Sequence, residues 1–228
     1  LLSMNADIFP SRALALSCAY ASDMARAGQG DEWAAWAAFL TPITKAFGTD
    51  VGMSVAEMGV QVHGGMGFIE ETGAAQFSRD VRVTAIYEGT NGIQAMDLVG
   101  RKMMDGGEAA NRLLDEIEAD AETARDPFPR MADAVWQASE TLREATEWMT
   151  AQKDMNERFA GAVPYLRAFA RVLGGHLHLQ AAMAEKAAGG SGAREKLARF
   201  YIQRLLPEHQ GLLAHAQAGA EDLYALDV

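Results

Sequence analysis

The chain has 228 residues, 49% apolar and 22% charged, and 31 acidic against 20 basic side chains leave a net charge of −11. That length suits one or two domains with a real core. No run of 18 apolar residues offers a membrane span. The acidic balance argues against nucleic acid, whose phosphates require a basic face.

The 43 alanines far outnumber the 18 valines plus isoleucines. Alanine is the best helix former and β-branched residues favour strands, so the expected fold class is all-α. The single cysteine, Cys18, excludes an internal disulfide and a thiolate metal cluster. No signal peptide precedes the first helical pattern, so the expected location is cytoplasmic. The opening Leu1-Leu2-Ser3, with no methionine ahead of it, suggests a processed product or a fragment.

In chain order, the first helix is expected over about 10–26, with Pro10 in its first turn and Gly28 and Gly30 beyond its end. Asp31 caps a short helix carrying Trp33, Trp36 and Phe39. Thr41-Pro42 restarts a helix that runs to Val62 with one apolar face, Ile43, Phe47, Val51, Val55, Met58 and Val62. His63 to Phe68, with three glycines in four residues, breaks that helix. A short helix follows around 76–80. Tyr87 to Thr90 forms a second break, and Thr90 caps a helix over about 91–104.

Gly106-Gly107 divides the chain into 1–105 and 106–228. Four helices are expected beyond it, over about 108–124, 128–152, 157–188 and 193–218. Phe128, Met131, Val135, Ala138, Leu142, Ala145 and Met149 form one alternating 3-4 stripe. Phe159, Val163, Leu166, Ala170, Leu173 and Leu177 form another, so the two helices read as an antiparallel hairpin in a bundle. Gly189 to Gly192 is a flexible connector, and Pro207 should kink or restart the last helix.

Most chemistry-bearing residues have plain readings. His176 and His178 point in different directions on a helix, as do His209 and His215, and no metal-ligand spacing appears. Trp136 and Trp148 read as packing residues, Cys18 as a small buried one, and Asp115 to Glu122 as a solvated face.

Two segments stand apart. In Gln61-Val62-His63-Gly64-Gly65-Met66-Gly67-Phe68 the glycines allow unusual dihedrals and close approach of a ligand, and exposed N–H groups suit an anion such as a pyrophosphate. In Ile86-Tyr87-Glu88-Gly89-Thr90-Asn91-Gly92 a carboxylate sits at a helix break beside a glycine, ahead of a helix N-terminus, as a general base facing a ligand would. On the residues alone, a helix end with its loop and an acidic residue before a capped helix remain open alternatives.

These motifs, with Arg79-Asp80 between them, resemble in order and interval the C-terminal helical domain of the acyl-CoA dehydrogenases, over about residues 1–104. The remainder, with Trp148-Met149-Thr150 and Arg158 to Leu166, is similar to the extra helical domain of a subgroup that includes 3-methylmercaptopropionyl-CoA dehydrogenases. The resemblance implies an FAD-dependent oxidation of an acyl-CoA thioester to the trans-2-enoyl form. Glu88 is the implied base for the α-proton, aligned and desolvated in a closed apolar site, and Gly89 is the implied thioester contact. Thr90, Asn91 and Gly92 are implied flavin contacts. Gln61, Val62, His63, Gly64 and Gly65 match the segment that meets the FAD of a neighbouring subunit, although the family commonly has an apolar residue at 63. A homo-oligomer (dimer or tetramer) and an electron-transfer flavoprotein as acceptor follow. The family's N-terminal helical and middle β-domains are not in this sequence, so the chain alone is expected to hold FAD weakly and to be inactive. A non-catalytic oligomerisation or interaction module is the competing reading. A DNA-binding relative of the family is disfavoured by the net charge.

Overall fold

In the computed structural model, residues 1–225 are described, and they contain helices and no strand. The helices are α1 (Leu2–Arg26), α2 (Asp31–Val62), α3 (Gly65–Phe68), α4 (Ala74–Arg82), α5 (Asn91–Asp97), α6 (Glu108–Ala124), α7 (Pro129–Ala151), α8 (Met155–Ala160), α9 (Ala162–Ala187), α10 (Ala193–Arg204) and α11 (Glu208–Ala216). None is long and apolar enough to cross a membrane.

Both proline expectations in the first two helices need correction. Pro10 lies well inside α1, which already begins at Leu2. A proline has no N–H to give to the carbonyl four residues back, here that of Ala6. The buried ring of His178 on α9 takes that place, its Nε2 lying 2.9 Å from the Ala6 oxygen. Pro42 does not restart a helix either, because α2 runs unbroken for 32 residues. Pro42 is buried with Phe39, Leu40 and Ile43, and this packing outweighs the lost hydrogen bond.

Other boundaries shift for local reasons. The helix expected over 91–104 ends as α5 and continues as a π-helical turn over 98–102, where Arg158 donates to the Val99 carbonyl. The helix expected over 157–188 is split at Gly161. A side chain there would meet the Ala216 carbonyl, so this crossing of α11 requires glycine. The helix expected over 193–218 divides at Pro207 into α10 and α11.

The stripe from Phe128 to Met149 is buried throughout, as expected. The stripe on α9 is not a one-sided face. Val163 is exposed, while Tyr165, Ala168, Phe169, Val172 and Leu179 on its other sides are buried. A helix apolar all round belongs in the centre, and α9 packs against α1, α2, α5, α6, α7, α10 and α11. One continuous core therefore runs from Leu14, Phe39 and Ile43 through Leu98 to Leu114, Leu142 and Phe169, on both sides of Gly106-Gly107.

The acidic stretch on α6 is not simply solvated. Glu118 accepts from Arg143 at 2.9 Å, and Asp120 pairs with the buried His176 at 2.7 Å. These partners come from α7 and α9, beyond the reach of local spacing. Cys18 is half-buried, not fully buried, and lies 3.6 Å from the Thr41 hydroxyl.

Candidate active site

The loop ahead of α5 carries the strained backbone of the molecule. Glu88 adopts φ 55°, the one non-glycine residue with positive φ among those described, and Gly89 follows at φ 83°. A glutamate in that region costs on the order of 1–3 kcal/mol and persists only when its surroundings fix it. Here they do. Gln94 Nε2 donates to the Glu88 carbonyl at 3.1 Å, and Lys45 Nζ donates to the Gly89 carbonyl at 2.7 Å. Thr90 caps α5, its hydroxyl accepting the Ile93 N–H at 3.3 Å.

Asn91 is the keystone of this brace. Its Oδ1 accepts from Lys45 Nζ at 2.9 Å and from the Thr49 hydroxyl at 3.1 Å. Its Nδ2 donates to Asp50 Oδ1 at 2.8 Å and to the Thr49 oxygen at 2.9 Å. The amide is fully engaged with α2, so only its backbone is left to face a ligand. Asp50 is itself held by Arg167 of α9 at 3.0 Å. Sequence reading missed Lys45, Thr49, Asp50 and Arg167. The spacing of Lys45, Thr49 and Asp50 along one helix face was legible, but their target, more than 40 residues away, was not.

The Glu88 side chain itself is exposed and makes no hydrogen bond among the described residues. The closed apolar setting expected for a base is thus not supplied by these residues. Gly92 is exposed on the same end of α5.

The second segment closes α2. Gln61, Val62, His63, Gly64 and Gly65 are all exposed. Gly64 has φ 60°, and a side chain at Gly64 or Gly65 would meet nothing within 4 Å. At Gly64 the backbone itself, with φ 60° and ψ −143°, calls for glycine, whereas at Gly65 nothing in this chain requires the side chain to be missing. Gly67 differs: a Cβ there would lie 2.1 Å from the Val60 carbonyl, so it is a packing glycine. His63 Nδ1 lies 2.8 Å from its own helix's Gly59 carbonyl.

The fold does not bring the two segments together within one chain. Glu88 to Gly92 dock beside Lys45 and Asp50, whereas Gln61 lies eleven residues further along α2. At a rise of about 1.5 Å per residue that is about 16 Å away. Around both segments lies an apolar surface. Val62, Met66, Phe68, Phe77, Val83, Ile86, Tyr87 and Ile93 are each more than half exposed, Phe68 to 80%. So many large apolar side chains left exposed near the two segments mark an interaction surface.

Two family models match the chain: "Acyl-CoA dehydrogenase, C-terminal domain" over residues 1–104 and "Acetyl-CoA dehydrogenase C-terminal like" over residues 113–227. Among curated relatives, a 3-methylmercaptopropionyl-CoA dehydrogenase of Ruegeria pomeroyi is 39% identical over 224 residues, covering 91% of this chain and 38% of its own. A butyryl-CoA dehydrogenase of Syntrophomonas wolfei is 30% identical over 218 residues, covering 86% and 35%. The chain thus spans well under half the length of these relatives. Two solved structures share the fold. Caenorhabditis elegans ACDH-11 in complex with C11-CoA has a TM-score of 0.75 at 22% identity, covering 88% of this chain and 34% of that one. A Bacillus anthracis acyl-CoA dehydrogenase complexed with FAD has a TM-score of 0.61 at 20% identity, covering 78% and 32%.

Proposed function

We propose, since the chain belongs to the acyl-CoA dehydrogenase family, that it is the part of such an enzyme that carries the catalytic base, Glu88. The reaction is α,β-dehydrogenation of an acyl-CoA thioester to its trans-2-enoyl-CoA. The observation that carries this reading is the backbone at Glu88, held in a conformation glutamate disfavours by side chains bonded to both carbonyls of the Glu88-Gly89 pair. Strain maintained at a carboxylate is a mark of a functional position.

The Glu88 carboxylate takes the α-proton, and the rigid loop keeps that oxygen aligned with the weakly acidic carbon. Gly89 leaves room for the thioester beside the base. FAD, when bound, supplies the acceptor for the β-hydrogen as hydride. The backbones of Thr90, Asn91 and Gly92 face the flavin of the same active site. Gln61, Val62, His63, Gly64 and Gly65 face the flavin of a neighbouring copy, in keeping with the distance between the segments along α2. The exposed apolar patch is the surface that the rest of the enzyme and the second copy cover, which desolvates Glu88 and makes a dimer or tetramer the working form. An electron-transfer flavoprotein would be the partner that accepts the electrons, as in the family. The division into 1–105 and 106–228 then corresponds to the family's C-terminal domain and its extension, in keeping with family-model matches over 1–104 and 113–227.

Two measurements test this reading. The 228-residue chain alone should retain little flavin absorbance and give no dye-coupled acyl-CoA oxidation, and stoichiometric flavin with turnover would defeat the partial-site reading. In a holoenzyme containing this chain, Glu88→Gln should keep flavin bound and lower turnover by at least about 100-fold. Near-normal turnover would remove Glu88 from the base role.

A further inference from the structure

A cleft of about 450 Å³ opens between α1, α2, α6 and α9, away from Glu88 and the glycine turn. Its walls are largely apolar and aromatic, including Tyr20, Trp33, Trp36 and Leu113, and Glu116 and His176 also line it. Tyr20 meets Trp33 edge-on at 5.5 Å, and Trp33 meets Trp36 edge-on at 5.4 Å, so the three rings form one continuous wall. The Trp36 Nε1 is buried and finds no acceptor among the described residues.

The charges in this cleft do not balance. His176 Nε2 lies 2.7 Å from Asp120 Oδ2, and Gln180 Nε2 donates to the same oxygen at 2.7 Å, so Asp120 is satisfied. The Glu116 carboxylate, within 4.8 Å of both Asp120 and His176, has no hydrogen bond or ion pair among the described residues. Burial pushes its pKa up. No lysine or arginine lines the cleft. Elsewhere the chain sets its own cations over aromatic rings: Arg194 on Phe9 at 4.8 Å, Lys186 on Phe128 at 5.1 Å and Arg125 on Trp136 at 5.2 Å. Tyr20, Trp33 and Trp36 have no such partner among the described residues.

We propose that this cleft binds a small organic cation, a quaternary ammonium on a short apolar stem, with Glu116 as counter-ion and Tyr20, Trp33 and Trp36 as its aromatic walls. Aromatic faces attract a cation that sheds its water easily, and a quaternary ammonium has no N–H to leave unpaired. The volume suits a small molecule with its stem against Leu113. A bare metal ion is the poorer fit, because ligation by Glu116, Asp120 and His176 would require the His176–Asp120 bond to break. An ammonium meets Glu116 with every existing bond kept.

The test uses choline and its neutral isostere 3,3-dimethylbutan-1-ol with the full 228-residue chain, read by calorimetry and tryptophan fluorescence. Choline should bind saturably and about tenfold or more tighter than the alcohol. Glu116→Gln should remove that preference and leave the alcohol's affinity unchanged. Tyr20→Leu, at an exposed position where folding is not at risk, should weaken choline by about threefold or more. Equal affinity for the two probes, an unchanged choline affinity in Glu116→Gln, or no saturable binding at millimolar choline would overturn the proposal. So would stoichiometric Zn²⁺ binding that depends on His176 with no response to choline.

Discussion

Arg167, near the start of α9, holds the carboxylate of Asp50 on α2 at 3.0 Å. The other oxygen of that carboxylate takes the Asn91 amide at the head of the loop bearing Glu88. The C-terminal segment thus reaches the proposed site through one ion pair and one hydrogen bond. Asp50→Ala leaves the Asn91 donor short of a partner and should cost about 1–3 kcal/mol. Arg167→Ala, at a more exposed position, should cost less than about 1 kcal/mol. Amide exchange at Ile93 and Gln94 should accelerate in both variants. Unchanged exchange there would show that α9 does not brace the loop.

The loop conformation separates stability from function. Glu88→Gly removes the strain at φ 55°, offset by a looser unfolded chain, so the melting temperature should hold or rise slightly. Gly89→Ala should cost about 1–3 kcal/mol, because φ is 83° and the new Cβ would press on Gln94 Nε2 at 2.9 Å. Denaturant unfolding of the two variants checks this. Equal losses would mean the loop relaxes freely.

The two kinds of glycine at the end of α2 should respond differently. Gly67→Ala drives a methyl group into the Val60 carbonyl and should destabilise the turn by about 1–3 kcal/mol. Gly65→Ala meets nothing in this chain and should leave its unfolding unchanged. In the holoenzyme, however, it should loosen flavin, seen as faster cofactor loss on dilution. Full flavin retention would remove Gly65 from the cofactor surface.

His178 makes stability depend on pH. Burial lowers its pKa from 6.5 to about 4, so below pH 6.5 the unfolded chain binds the proton more readily than the folded one. Its contribution is present above pH 6.5 and is lost as pH falls towards 4, by about 3 kcal/mol in all. Burial lowers the His209 pKa as well, adding in the same direction. His178→Gln keeps a donor for the Ala6 carbonyl without the titration. Urea unfolding between pH 4 and 7 should then show a shallower slope. An unchanged slope would place the pH dependence elsewhere.

The sequence by itself determined the helical class, the stripe from Phe128 to Met149, the Thr90 cap, and the two motifs that point to an acyl-CoA dehydrogenase. Each is a local property: composition, a 3-4 periodicity, or a short run whose glycines and carboxylate are adjacent in the chain. Tertiary structure alone decided that helices could pass through Pro10 and Pro42, because burial and the His178 ring offset what a proline removes. It also placed α9 at the centre, bound Asn91 to Lys45 and Asp50, and left Glu116 without a partner among aromatic rings. All of these join residues tens of positions apart, and periodicity holds no information about which distant faces meet. Only the packing of whole helices chooses those pairs.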